Sequence, residues 1–89
     1  METNYNLFSS NGREVSTANM EIIPYGRTRK DLRLTTFSFF NEQDCTVIIN
    51  GTEKITVFGG FGLQLQYNIP VFSFVIVEPD ITFFWIGGQ

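Results

Sequence analysis

The stretch Val71 to Val77, VFSFVIV, and the stretch Ile81 to Ile86, ITFFWI, are apolar at nearly every position, and this constrains the fold more than any other feature. In an extended strand alternate side chains point to opposite faces, so Val71, Ser73, Val75 and Val77 face one way and Phe72, Phe74 and Ile76 the other. Both faces of such a strand need cover. Left bare, an uncharged strand of this kind is a template for steric-zipper aggregation. The cover must come from a second sheet or a second chain, because helix formers are scarce from Cys45 onward and no helical pattern is there to supply it.

The rest of the chain agrees with an all-β reading. Val, Ile, Thr, Phe and Tyr dominate after Cys45, and turn residues recur at Asn50-Gly51, Gly59-Gly60, Asn68 to Pro70 and Pro79-Asp80. Phe61, Leu63, Leu65 and Tyr67 alternate with Gly62, Gln64 and Gln66, which predicts one apolar and one polar face. Earlier strands are expected over Met20 to Ile23 and Asp31 to Phe40, separated by a Pro24-Tyr25-Gly26 turn and the basic stretch RTRK, with a polar loop over Asn41 to Asp44. The first 19 residues are polar and turn-rich and read as an extended arm. The expected fold is all-β, a small antiparallel sandwich or barrel-like domain over residues 20–89 preceded by an N-terminal arm over 1–19.

The segment CTVIINGTEKITVF sets a register problem. A two-residue turn at Asn50-Gly51 pairs Val47 with Lys54 and Thr46 with Ile55, mixing apolar and polar partners on each face. An odd-length loop avoids this. Ile49-Asn50-Gly51, with Gly51 left-handed and a bulge, puts Cys45 opposite Ile55 and keeps Cys45, Val47 and Val57 on one side. A loop of Asn50 to Thr52 has the same parity but asks Thr52 to do what Gly51 does more easily.

Size limits the ways this domain is stabilised. A chain of 89 residues buries only about 60 to 65% of its unfolded surface. Domains this small gain from disulfides, metals or oligomerisation, but one cysteine and no histidine leave no intrachain disulfide and none of the common zinc sites. Ten Phe plus Trp85 are a large aromatic load for one core, which points to burial between chains. The five basic and four acidic residues of the first 40 sum to +1 and the one basic and five acidic residues after them to −4, a polarity able to orient copies head to tail.

Chemistry is thinly represented. Without histidine no Ser-His-Asp or Cys-His arrangement can be drawn, and Cys45 reads as a small core residue, so no enzyme activity and no cofactor are expected. Asn50-Gly51-Thr52 matches a glycosylation sequon, but METNYNLFSS does not read as a signal peptide and no apolar run reaches the roughly 20 residues that span a bilayer. Gly59-Gly60-Phe61-Gly62 lacks the following Lys-Ser/Thr of a phosphate loop and reads as a turn. Asn41, Glu42 and Asp44, or Glu78 and Asp80, fall short of the six to eight oxygens that calcium takes. Two binding alternatives stand beside a structural role. One is a carbohydrate surface from Trp85, Tyr67, Gln64 and Gln66. The other is a nucleic-acid patch from Tyr25, Arg27, Arg29, Lys30 and Arg33.

Over its last 45 residues the chain resembles small β-structured virion proteins of tailed bacteriophages, in which an I-x-S-F-x-I-x-E segment leads through a turn into a closing aromatic strand. The matching residues are VFSFVIVEPDITFFWIG, Val71 to Gly87. The resemblance implies a structural protein of the particle, made in the host cytoplasm. With Gln89 just past the last strand, capsid decoration or cementing is expected rather than a complete fibre. Its partners would be copies of itself and a major virion protein. Phe72, Phe74, Ile76, Phe84 and Trp85 are expected to divide between core and subunit contacts, while Arg27, Arg29, Lys30 and Arg33 meet acidic partner surface and the arm extends onto a neighbour.

Overall fold

The computed structural model describes residues 7–23, 34–52 and 54–88, with the backbone alone for 66–69. It is an all-β sandwich of two antiparallel sheets. Among the described residues nine strands follow in order: β1 Leu7–Ser9, β2 Glu14–Val15, β3 Met20–Glu21, β4 Leu34–Asn41, β5 Cys45–Ile49, β6 Lys54–Val57, β7 Leu63–Val71, β8 Phe74–Ile76 and β9 Thr82–Gly88. One sheet runs β1-β9-β4-β7, with β2 also paired to β9, and the other runs β3-β8-β5-β6. The expected turn at Pro24-Tyr25-Gly26 and the basic cluster Arg27, Arg29, Lys30 and Arg33 lie outside the described residues.

The core forms where the inward faces of the two sheets meet. Phe74 of β8 lies 4.9 Å from Phe37 and 4.7 Å from Phe39 of β4, measured between ring centroids. Phe37 also stacks on Trp85 at 5.6 Å, and Phe39 meets Phe83 at 6.0 Å. Around these rings Ile23, Leu34, Val47, Val71 and Ile76 are fully enclosed. Offset and tilted ring pairs at these separations contribute about 0.5–1.5 kcal/mol each beyond the area they bury.

The run VFSFVIV is not one strand. Val71 closes β7 in the first sheet and Phe74 opens β8 in the second, so the chain crosses between sheets at Phe72-Ser73. The crossing shifts the alternation: Val71, Phe74 and Ile76 are buried while Phe72 is 39% exposed. Two polar side chains hold it. Asn50 Oδ1 accepts from the amides of Phe72 and Ser73 at 2.9 and 3.2 Å, and its Nδ2 donates to Pro70 O at 2.9 Å. Glu21 accepts from the Ser73 hydroxyl at 2.6 Å and from the Phe74 amide at 2.8 Å. The partner sheet thus covers the inward face of β8.

The hairpin has the expected odd parity with a different centre. Ile48 pairs with Lys54, Val47 with Ile55 and Cys45 with Val57, so the register centres on Gly51 and Cys45 does not face Ile55. Asn50 and Gly51 are both left-handed, with φ of 55° and 71°, and Thr52 N–H closes the turn on Ile49 O at 3.0 Å. Asn tolerates that region better than other non-glycine residues because its short polar side chain bonds locally. Cys45, Val47 and Val57 share the buried side.

Three other expectations change. Residues 7–15, read as part of an arm, are an edge of the domain's own sheet: Leu7 to Ser9 pair with Gly88 to Ile86, Glu14 with Phe83 and Val15 with Thr82. The two short strands act as one interrupted edge, because Ser10 bonds both backbone groups of Trp85 between them. The Asn68 to Pro70 signal marks an irregularity in β7 rather than a chain reversal. The register jumps there from Thr36↔Gln66 to Leu34↔Val71, which lets Leu34 and Phe37 both face inward. Asn41, expected in a loop, is the buried last residue of β4.

The glycines at two turns are required for different reasons. At Gly51 there is open space for a Cβ but φ is positive, whereas a Cβ at Gly59 would run into the backbone oxygen of Glu42. Gly51→Ala should therefore lower unfolding free energy by about 1–2 kcal/mol. Gly59→Ala should cost more, since backbone on both sides must move; urea unfolding of both variants checks the order.

Candidate functional site: the outer face of the five-stranded sheet

Residues directly opposite one another in a ladder share a face. Across the first sheet this places Ser9, Ile86, Ser38 and Gln64 in one row, and Phe84 beside Phe40 in the next. Leu7, Gly88 and Thr36 form a third row, and Val15 with Thr82 extends the face at the β2 end. None of these residues is charged. Phe84 is 40%, Ile86 45% and Leu7 60% exposed. The Phe40 and Phe84 rings meet at 5.4 Å on the outside of the sheet, mirroring the aromatic contacts inside.

A groove of about 370 Å³ runs beside that ring pair, walled by Phe40, Phe84, Ser38, Gln64 and the Phe61–Leu63 segment. Phe61 is 83% exposed and overhangs it from the turn between β6 and β7, which also presents Phe58. The turn is fastened from below. Gly60 N–H bonds Asn41 O at 2.7 Å, Gly59 N–H bonds Asp44 Oδ1 at 2.7 Å, and Asn41 Nδ2 donates to Val57 O and Gln43 O. The exposed aromatics therefore sit on a braced surface. Among the described residues charge begins at its border, where Arg13 meets Glu42 at 3.4 Å.

The residues expected to divide between core and contact do divide. Phe74 and Ile76 are 0% exposed and Trp85 is 2% exposed, so these three belong to the core and are withdrawn as contact residues. Phe84 lies on the outer face and Phe72 at the crossing between sheets. Phe40, Phe61, Ile86 and Leu7 were missed by the sequence reading. The signal for Ile86 and Phe84 was present in the alternation of β9, but nothing in the sequence said which parity was outward. The composite carbohydrate platform is not formed: Trp85 pairs with inward Phe39, whereas Gln64 pairs with outward Ser38, so the two lie on opposite faces. The side chains of Gln66 and Tyr67 lie outside the described residues, as do the basic side chains of the nucleic-acid reading.

Three of the acidic residues considered for cation binding, Glu42, Asp44 and Glu78, have partners. Glu78 accepts from the Thr46 amide and the Thr46 hydroxyl, both at 2.7 Å, tying the β8–β9 turn to β5. Ser16, buried beneath that turn, donates to Glu78 O and accepts from the Ile81 amide. No cluster of three or more metal-ligating side chains occurs among the described residues. No helix among them is long and apolar enough to cross a membrane. Burial pushes the Cys45 thiol up to about 11, with Glu78 and Asp44 adding to the effect. At neutral pH it is not a nucleophile.

Burial alone would raise the Glu78 carboxyl, but the bonds from Thr46, its own amide and the charge of Lys54 hold it below the ordinary 4.5. A carboxyl lower in the folded than the unfolded state contributes stability above the unfolded value, lost as pH falls through the folded one. Urea midpoints measured below pH 4.5 should fall less steeply in Glu78→Gln than in the natural chain. Cys45 should react with Ellman's reagent only at the rate of global unfolding, read by adding sub-denaturing urea.

No family model, no curated protein and no solved structure matches the chain.

Proposed function

We propose that this chain is a structural protein of a bacteriophage particle that decorates or cements the capsid by docking and self-association through the outer face of its five-stranded sheet. The observation that carries the reading is the absence of charge among the described residues of that face, combined with the outward Phe40–Phe84 pair and the exposed Ile86 and Leu7. Interface cores are depleted in charge and enriched in aromatic residues. Copies of a chain with net charge −3 repel one another, and a neutral face lets them meet without burying an unpaired charge. The setting in a virion rests on the resemblance of Val71 to Gly87.

The mechanism would be area, at about 25 cal/mol per Å² of apolar surface removed from water, repeated over many copies. Residues 7–15 are held on β9 of the same chain, so contact by those residues as a free arm is not part of the reading. The basic residues Arg27, Arg29, Lys30 and Arg33 remain the proposed complement to acidic partner surface.

Sedimentation velocity tests the reading. The natural chain should sediment as an oligomer at micromolar concentration. The double variant Phe84→Ser, Ile86→Thr should sediment as a monomer with an unchanged far-ultraviolet spectrum, since both side chains lie outside the core. A natural chain that stays monomeric at high concentration overturns it.

A further inference from the structure

Two Asn-Gly pairs occur in the chain, Asn11-Gly12 and Asn50-Gly51. This dipeptide is open to a reaction that other sequences resist, attack of the following backbone amide on the asparagine carboxamide, because glycine carries no side chain to hinder the approach. Sequence makes the two pairs equivalent.

Backbone shape does not separate them either. Gly12 and Gly51 are both left-handed, with φ of 72° and 71°, and a Cβ built on either would meet nothing within 4 Å. The difference lies in the carboxamides. That of Asn50 is held three times, by the Phe72 and Ser73 amides on Oδ1 at 2.9 and 3.2 Å and by Pro70 O, which accepts from Nδ2 at 2.9 Å. Its own N–H bonds Ser73 O at 2.8 Å. Turning Cγ of Asn50 toward the Gly51 nitrogen breaks all the side-chain bonds that fix it to the crossing between sheets. Asn11 is exposed, and the bonds around its turn use other atoms: its backbone N–H donates to Glu14 Oε2 at 3.0 Å, and the Ser10 hydroxyl donates to Gly12 O at 2.8 Å. The Asn11 carboxamide makes no bond among the described residues, so closing on Gly12 disrupts neither contact.

We infer that Asn11 is a site of spontaneous deamidation in the folded chain, and that the fold shields Asn50 from the same reaction. At Asn11 the Gly12 amide gives its proton to hydroxide, its nitrogen bonds to Cγ, and the Cγ–Nδ2 bond breaks with release of ammonia. Water then opens the cyclic imide at either carbonyl, giving aspartate or isoaspartate, and nothing is oxidised or reduced. The net charge moves from −3 to −4, with the new carboxylate on the turn that Glu14 bonds. At Asn50 the same product lacks the Nδ2 donor and sets a carboxylate oxygen against Pro70 O. A folded chain therefore ages at an exposed turn, whereas a chain that lingers unfolded is altered at its sheet crossing. The inference does not rest on the docking role, since Asn11 lies on the turn beyond the rows of the outer face.

Peptide mapping by mass spectrometry after incubation in oxygen-18 water tests it, at mildly alkaline pH, with the chain folded in buffer or unfolded in guanidinium chloride. Each conversion in the tube carries one labelled oxygen. In the unfolded chain the two sites should convert at comparable rates. In the folded chain Asn11 should keep its rate while Asn50 slows at least about tenfold, because its reaction waits on opening of the crossing. Equal rates at the two sites in the folded chain overturn the inference, as does a folded chain in which Asn11 slows as much as Asn50. Two variants that imitate the product test the consequence for the fold. Asn11→Asp should unfold at the urea midpoint of the natural chain and Asn50→Asp at a lower one; an unchanged midpoint in Asn50→Asp overturns the claim that its carboxamide bonds hold the site shut.

Discussion

The packing of Phe74 against Phe37 and Phe39 is the contact on which the rest of the structure depends. It joins a strand of one sheet to a strand of the other at the centre of the core, with the ring fully enclosed. Truncating a buried Phe of this kind to Ala costs on the order of 3–5 kcal/mol, a large share of what so small a domain has. Because Phe74 must face inward, so must Ile76 two residues later, and the chain must have changed sheets before it. That requirement positions the crossing at Phe72-Ser73 and so decides that Phe72 is left outside.

Polar side chains in this protein serve mainly to hold the places where the chain changes sheet or direction. Asn50 and Glu21 bind the Phe72-Ser73 crossing, Ser16 and Glu78 bind the β8–β9 turn, and Asn41 and Asp44 brace the turn that displays Phe61. A backbone amide withdrawn from water needs a partner, and short Asn, Ser and acidic side chains supply it where no neighbouring strand is in register. Several acids that looked like a cation site or a solvated loop in the sequence therefore have structural partners. The bonds from Asn41 and Asp44 fasten the turn that carries Phe61 beside the outer face, and a surface held in place loses less entropy on binding.

The chain's aromatic load divides between two faces of one sheet. Phe37, Phe39, Phe83 and Trp85 point inward, while Phe40 and Phe84 meet on the outside. Along β9 this is strict alternation, Phe83, Trp85 and then Gly87 inward, Phe84 and Ile86 outward. The inner set is accounted for by the opposing sheet. The outer set is the feature that a monomer leaves uncovered, and it is what favours a role in assembly.

The sequence by itself determined the all-β class, the strands at Cys45–Ile49, Lys54–Val57 and Thr82–Gly88, and the odd parity of the hairpin. Each follows from local properties: β-branched and aromatic density, alternation, and the pairing penalty of Val47 opposite Lys54. It also determined that more aromatic surface exists than one small core requires. Only the tertiary structure decided which side of ITFFWI is inward, because a strand apolar on both faces carries no internal mark of orientation. Only it decided that VFSFVIV divides between two sheets, since that break comes from hydrogen bonds to Asn50 and Glu21, 22 and 53 residues away in the chain.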